Sequence, residues 1–257
     1  MYVDNTETVT LLEWCAGYGG IGLGLKRVFG ERLRTIAYCE LEGYAQANLI
    51  SKMEKGFMDV APIWTDVKTF PTQEFHGLVD IFSAGYPCQP FSTAGKRLGE
   101  EDPRHLWPFI QRAIATIQPR FCFFENVRGH LTLGFKNVCH DLGELGYEIV
   151  AGLFTAAECG APHKRERLYI MAHSKRCGLE RGWLRRMDEV MLQQGIHTST
   201  TPTVQICGDI WGKGPGSVVG LSNGSASRVE QLRMGGNGVV PQTAELAFQT
   251  LYKELMA

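Results

Sequence analysis

The chain has 257 residues, 44% of them hydrophobic, and a formal net charge of −1, enough for one large domain, or one domain plus a small appendage, around a sizeable core. No apolar run long enough to span a membrane is present, and the opening MYVDNTETVTLLEW carries acidic residues where a secretory leader needs basic ones. The eight cysteines (15, 39, 88, 122, 139, 159, 177, 207) contain no Cys-x-x-Cys pair and mostly lie in apolar segments, which argues against a metal site or a disulfide framework and for a reduced, cytoplasmic protein.

The first predicted strand, Thr8–Trp14, carries an acid at Glu13 and runs into CAGYGGIGLGL. Five glycines (17, 19, 20, 22, 24) lead to Leu25–Phe29, a predicted helix. Strand, glycine turn and helix start together form a cradle of the kind that binds nucleotides, because glycines admit close backbone approach and a helix start offers free amides. The spacing departs from Gly-x-Gly-x-x-Gly, and glycine turns of this kind also serve packing. A second strand, Arg34–Cys39, ends in Glu40, with a helix over Tyr44–Met53 behind it. A carboxylate there is placed to accept from ribose hydroxyls, or else to start the helix. Asp66 follows Ile63-Trp64-Thr65 at a third strand end. Glycine loop, Glu40 and Asp66 therefore suit an adenosine-containing cofactor, and no Gly-x-x-x-x-Gly-Lys-Ser/Thr is present to hold a triphosphate.

The apolar run Leu78–Ala84, with a strand over 79–83, ends in GYPCQPFSTAGKR, residues 85–97. It delivers one cysteine, Cys88, at the mouth of a tight turn, where open α/β sheets bind ligands. The alternative is a small buried hydrophobe, the usual fate of a free cysteine. A helix over Leu106–Ile117 stops at Gln118-Pro119, and the apolar strand Phe121–Phe124 ends in Glu125-Asn126-Val127. Beside such a run the Glu125 carboxyl would have a raised pKa, useful in a proton donor, unless it is only a capping or surface acid. A helix over Phe135–Leu145 and a strand over Tyr147–Phe154 precede APHKRERLYIMA, where Arg165 and Arg167 alternate before a strand at Leu168–Ala172. In extended structure the two arginines share a face, which suits a joint contact to a phosphate or carbonyl.

Between residues 164 and 186 stand eight basic residues against two acidic ones, a local balance of +6 on a near-neutral chain. That is the distribution of a phosphate-backbone contact, or of a solvated face. From about 174 to 231 apolar periodicity weakens, with Trp183 and Trp211 left to anchor a small irregular subdomain. The closing segment Met234–Pro241 leads to a helix over Gln242–Met256, whose Ala244, Ala247, Leu251 and Leu255 recur at helical spacing and should face the main sheet.

Taken in order, these segments resemble the DNA (cytosine-5) methyltransferase family along nearly the whole chain. The resemblance rests on the cofactor loop Glu13–Gly20, Glu40, Asp66, Pro87-Cys88-Gln89, Glu125-Asn126-Val127, Arg165-Glu166-Arg167 and Gly236-Asn237-Gly238-Val239. It implies an α/β fold with a doubly wound, mostly parallel, Rossmann-like sheet and a small irregular target-recognition domain. The catalytic domain would cover 1–173, the target-recognition domain 174–231, and residues 232–257 would return to the catalytic domain. The implied cofactor is S-adenosyl-L-methionine, leaving as S-adenosyl-L-homocysteine. Its site would comprise Glu13, Cys15, Ala16, Gly17, Tyr18, Gly19, Gly20, Glu40, Leu41, Asp66, Val67, Pro87, Asn237 and Val239.

The chemistry implied by the family needs these residue types. Carbon 5 of cytosine is a poor nucleophile, and addition of the Cys88 thiolate to carbon 6 makes an enamine whose carbon 5 can attack a methyl group. Protonated Glu125 would hold ring nitrogen 3 and the exocyclic amine, Arg167 the ring carbonyl, and Arg165 would buttress the carboxylate or a phosphate. A base inside a duplex is unreachable, so the family flips it out. Gln89 and Ser92 would then touch the DNA, Lys96 and Arg97 its phosphates, and Arg181, Arg185 and Arg186 guanines or phosphates. Double-stranded DNA is the implied partner, a cognate restriction endonuclease a candidate second one, and a monomer in a bacterial or phage-infected cell the implied state. A tRNA substrate or a non-catalytic regulator would share the fold. The family's tRNA-acting branch carries a Cys-Phe-Thr stretch that this chain lacks, and a regulator has no need of Cys88, Glu125 and the arginines together. Departures from the family pattern are Glu13 for Asp, Cys15 for the adenine-stacking Phe, His163 for Gln, a contracted 221–234 segment and a recognition domain of about 58 residues.

Overall fold

The computed structural model of the protein describes residues 8–87, 106–175 and 238–256. Among them seven strands form one sheet in the order β3-β2-β1-β4-β5-β7-β6. The strands are β1 (Val9–Trp14), β2 (Leu33–Cys39), β3 (Ile63–Trp64), β4 (Ile81–Ala84), β5 (Phe121–Val127), β6 (Tyr147–Thr155) and β7 (Glu166–Ser174). The helices are α1 (Gly20–Phe29), α2 (Gly43–Glu54), α3 (Trp107–Ile117), α4 (Phe135–Glu144) and α5 (Pro241–Met256). Strands β1 to β5 pair in parallel, and β7 runs antiparallel to both β5 and β6. The chain winds outward from β1 through β2 to β3, then returns across β1 to β4 and winds the other way. That reversal makes the doubly wound, Rossmann-like fold, and ligands bind such sheets at the carboxyl ends beside the reversal.

Strand periodicity decides which side chains meet which helices. On one face Leu11, Phe121, Phe123, Tyr169 and Met171 pack against α1 and α5. On the other face Leu12, Cys122, Phe124, Leu168 and Ile170 pack against α3 and α4. Residues 121–124 are apolar without alternation because both faces of β5 are covered. The same parity places Glu13, Glu125 and Arg167 on the face of α1 and α5, a consequence used below.

Most element bounds lie within two residues of the sequence reading, and the differences at α1, β5 and β7 have packing reasons. Helix α1 starts at Gly20 rather than Leu25, because its glycines are contact points. A side-chain carbon on Gly20 would stand 2.5 Å from the Val239 carbonyl oxygen, and one on Gly24 2.6 Å from that of Pro241. Gly19 caps the helix in the left-handed region at φ 68°. Strands β5 and β7 run past their apolar cores, to Val127 and back to Glu166, because the polar ends pair with each other in antiparallel register. Arg165 has φ 34° and stands just before β7. The extended alternation expected of Arg165 and Arg167 is therefore interrupted at Arg165, although both charges act on Glu125.

The closing helix packs as its spacing implies, with Ala244, Ala247, Phe248, Leu251 and Tyr252 buried and Leu255 partly so. Gly24→Ala should force α5 off α1 and lower stability by about 1–3 kcal/mol. Gly129→Ala, which points into open space, should stay within about 0.5 kcal/mol. Urea denaturation midpoints of the two variants against the parent check this.

Candidate active site

The sheet reversal brings three acids to neighbouring strand ends. Glu40, at the end of β2, is almost fully buried and accepts backbone N–H groups of Gly17 at 2.6 Å and Glu42 at 2.9 Å. It thereby ties the glycine loop to the start of α2. Burial raises its pKa, and the bonds from Glu42 and Gly17 oppose that shift. Beside it Leu41 is 70% exposed, an apolar side chain left open where a ligand's flat ring could cover it. Asp66 follows β3 and accepts the Lys68 N–H at 2.9 Å, capping a short turn that begins at Val67.

Glu13 is more deeply placed. It is 1% exposed, and one carboxyl oxygen accepts the Gly22 N–H at 3.2 Å. The other oxygen has no hydrogen-bond partner among the described residues, nor has the Ser83 hydroxyl, which β4 sets directly opposite Glu13. Burial pushes the Glu13 carboxyl up to about 8, against the bond from Gly22 and the charge of Lys52. Cys15, at φ 50°, has its thiol pKa raised by burial, the opposite of a reactive cysteine. The orphaned acid, the open glycine backbone and the Glu40 acceptor fit the adenosine-containing cofactor that the sequence suggests. Ala16, Tyr18 and Gly19 belong to this loop, and Val239 closes over it onto Gly20.

Lys52 was not foreseen. Its ammonium donates to the Tyr18 carbonyl at 2.6 Å and lies 5.3 Å from the centre of the Tyr18 ring. Burial lowers its pKa and Glu13 opposes that shift. The signal was its position one turn after Leu49, next to the stripe of Ala45, Leu49 and Met53 that faces the core.

At the next strand ends lies a second group. Glu125, on β5, forms an ion pair with Arg167 of β7, the guanidinium Nε standing 3.0 Å from its carboxylate. The register sets Glu125 opposite Tyr169 and Val127 opposite Arg167, so the pair is a diagonal contact on one face. Burial raises the Glu125 pKa, while Arg167 and then Arg165 oppose it. Arg167 thus makes the direct ion pair, and the Arg165 charge acts on the same carboxylate. Arg165 also donates to the Gly238 carbonyl, pinning the closing segment. Glu166, between them, pairs with Arg128 at 2.6 Å and Lys164 at 3.6 Å, so the basic loop is partly neutralised by its own acid.

Glu125 also stands beside the exit of β4. A side-chain carbon on Gly85 would lie 3.6 Å from its carboxylate and 3.7 Å from the Cys15 carbonyl oxygen. Asn126 donates to the Tyr86 carbonyl at 3.2 Å, again unforeseen, and Pro87 is exposed at the end of this described stretch. Cys88, Gln89, Ser92, Lys96, Arg97, Arg181, Arg185, Arg186 and Asn237 lie outside the described residues, as does 176–231 of the expected recognition domain.

The Glu13 shift sets a pH dependence. An acid whose folded pKa is raised binds more protons folded than unfolded, so its contribution to stability falls as pH rises from about 4.5 to about 8. Glu13→Gln keeps an acceptor for Gly22 and removes the titration. The stability difference, variant minus parent, should therefore grow across that window in denaturant titrations at several pH values. A pH-independent difference would contradict the burial argument.

Comparison with known proteins places the sequence and the fold. The chain is 32% identical over 176 residues to the type II methyltransferase M.AplI of Arthrospira platensis, covering 66% of this chain and 47% of that protein. With M.NgoMIV of Neisseria gonorrhoeae it is 35% identical over 167 residues, 63% of this chain and 51% of the relative. The chain thus spans about half the length of the curated relatives it matches. Among solved structures, a DNMT2 mutant of Spodoptera frugiperda superposes with a TM-score of 0.54 at 21% identity, over 67% of this chain and 52% of that one. The S. pombe Dnmt2 methyltransferase gives 0.53 at 21% identity, over 65% and 51%. These two share the fold. The model of the C-5 cytosine-specific DNA methylase family matches residues 9–208, and the chain belongs to that family.

Proposed function

We propose that the protein is a DNA (cytosine-5) methyltransferase acting on a cytosine flipped out of duplex DNA. The observation that carries this reading is the Glu125 carboxyl. It is buried, held by Arg167, and set beside Gly85 at the exit of β4, three residues before Cys88. A nucleophile and a proton-donating acid on adjacent strand ends are what addition to carbon 6 of cytosine requires.

In this mechanism the Cys88 thiolate forms a bond to carbon 6, and the electron pair displaced from the ring double bond moves toward ring nitrogen 3. Glu125 supplies the proton there, and its raised pKa favours the protonated form that can do so. Arg167 fixes the orientation of the carboxyl and would meet the ring carbonyl. Arg165 holds Gly238 and so keeps the closing segment over the glycine loop. S-Adenosyl-L-methionine, when bound by Glu40, Leu41, Asp66 and the glycine loop, supplies an electrophilic methyl group. Carbon 5 of the enamine would bond that methyl group as its bond to sulfur breaks, and the nitrogen 3 proton would return to the Glu125 carboxylate. Loss of the carbon 5 proton to water and expulsion of the Cys88 thiolate then restore the aromatic ring.

Duplex DNA is the proposed partner. The type II relatives support pairing with a cognate restriction endonuclease, and we propose a monomer acting in the cytoplasm of a bacterial or phage-infected cell. No described helix is long and apolar enough to cross a membrane, and the described residues hold no cluster suited to a metal ion. We propose that 174–231 reads the target sequence, with 1–173 and 232–257 forming the catalytic part.

The test uses the protein, S-adenosyl-L-methionine and mixed-sequence duplex DNA, with tRNA and Cys88→Ser in parallel, and base-resolution mapping of methylated cytosine. Carbon 5 methylation of DNA in a short shared context is expected. Cys88→Ser should lose it by about 10³-fold or more while retaining DNA binding. Labelled tRNA with unlabelled DNA would move the substrate to RNA, and DNA binding with neither labelled would remove the enzymatic reading.

A further inference from the structure

We propose that the buried Tyr86–His130 hydrogen bond is a positioning contact for the Cys88 nucleophile, holding the segment that carries the thiol at a fixed offset from the strand that carries Glu125. The inference rests on the methyltransferase reading above and adds two residues to it. The parallel ladder between β4 and β5 ends at Ala84 and Phe124. Beyond it the reacting groups lie on two separate segments, Gly85 onward and Glu125 onward. Bonds across that gap must therefore come from side chains.

Asn126 makes one tie, donating to the Tyr86 carbonyl at 3.2 Å while its own oxygen accepts the Val127 N–H at 2.8 Å. The second tie is the Tyr86 hydroxyl with His130 Nε2, 2.9 Å apart, both residues 4% exposed. His130 lies in the short turn after β5, so this bond reaches from the thiol-bearing segment to the far side of Glu125-Asn126. Aromatic packing fixes the ring but needs no hydroxyl. Tyr86 meets Phe124 edge-on at 6.1 Å and Trp107 at 5.7 Å, and Trp107 is itself anchored by Asp141 at 2.7 Å. A phenylalanine would pack equally well there. A buried tyrosine hydroxyl costs free energy unless it finds a partner, and this one spans the gap.

Burial lowers the His130 pKa, and a hydrogen bond with the Leu133 backbone opposes that shift. The Tyr86 hydroxyl can bond Nε2 in either tautomer of the ring. Cys88 stands two residues after Tyr86, and errors of an ångström at a reacting atom cost up to about 10²-fold in rate.

The experiment compares Tyr86→Phe, His130→Leu and His130→Gln with the parent in the full chain. It reads kcat and the cofactor KM on duplex DNA, the urea midpoint, and the DNA-free iodoacetamide alkylation rate of Cys88 relative to Cys177 and Cys207 by peptide mapping. Tyr86→Phe and His130→Leu should lower kcat about 10- to 100-fold with the cofactor KM within about twofold, and change the relative Cys88 alkylation rate by about threefold or more. His130→Gln, which keeps an acceptor, should retain most of the turnover. Unchanged kcat and alkylation with only a lowered urea midpoint would reduce the bond to a structural one and overturn the proposal. Absence of turnover in the parent would instead defeat the methyltransferase reading, and the alkylation ratios alone would then decide whether the bond positions the thiol.

Discussion

The ion pair between Glu125 and Arg167 is the constraint on which the site depends. A carboxylate that deep on a sheet is expensive to keep charged, and burial alone would drive it toward the neutral form. Arg167 offsets that cost without abolishing it, so the acid stays within reach of proton exchange. The partner is available only because β7 runs antiparallel to β5, which brings the residue at the start of β7 to the carboxyl end of β5. A parallel strand there would have put the arginine at the opposite end of the sheet. Removing one member of a buried pair costs about 3–5 kcal/mol because the other is left uncompensated, so fold and chemistry share this contact.

The same end of the sheet is built by close approach. Gly20 and Gly24 lie one turn apart on α1 and let Val239 and Pro241 settle on the helix. Arg165 then holds Gly238 from the other side. The glycine loop, the acid pair and the closing segment are in this way one mechanical unit, although they come from the beginning, middle and end of the chain. Glu13 lies beneath it as a buried carboxyl raised to about 8, a support for the loop from below.

Much of this was legible from the residues. Alternation marked β1, a continuous apolar run marked β5, and helical spacing marked α3 and α5, because burial on one face or both dictates those patterns. Glu40 and Glu125 could be placed at strand ends, since an acid closing an apolar run has few other positions. The start of α1 was hidden: glycine is read as a loop former, and only the facing carbonyls show that it is needed within the helix. The separate fates of Arg165 and Arg167 were equally hidden, because a left-handed residue before a strand breaks an alternation that the sequence appeared to keep. Asn126, Tyr86 and His130 act through contacts between distant segments, which no local period records.

The central claim is that Cys88 forms a bond to the target base within reach of Glu125. Duplex DNA in which 5-fluorocytosine replaces cytosine tests it most directly, because a carbon 5 fluorine cannot leave as a proton does and the adduct persists. The protein, this DNA and S-adenosyl-L-methionine would be incubated and digested, and the cross-linked peptide identified by mass. The expected result is an adduct on the peptide containing Cys88, dependent on the cofactor. Methylation of ordinary DNA with no adduct on the fluorinated duplex, or an adduct at another residue, would contradict the account.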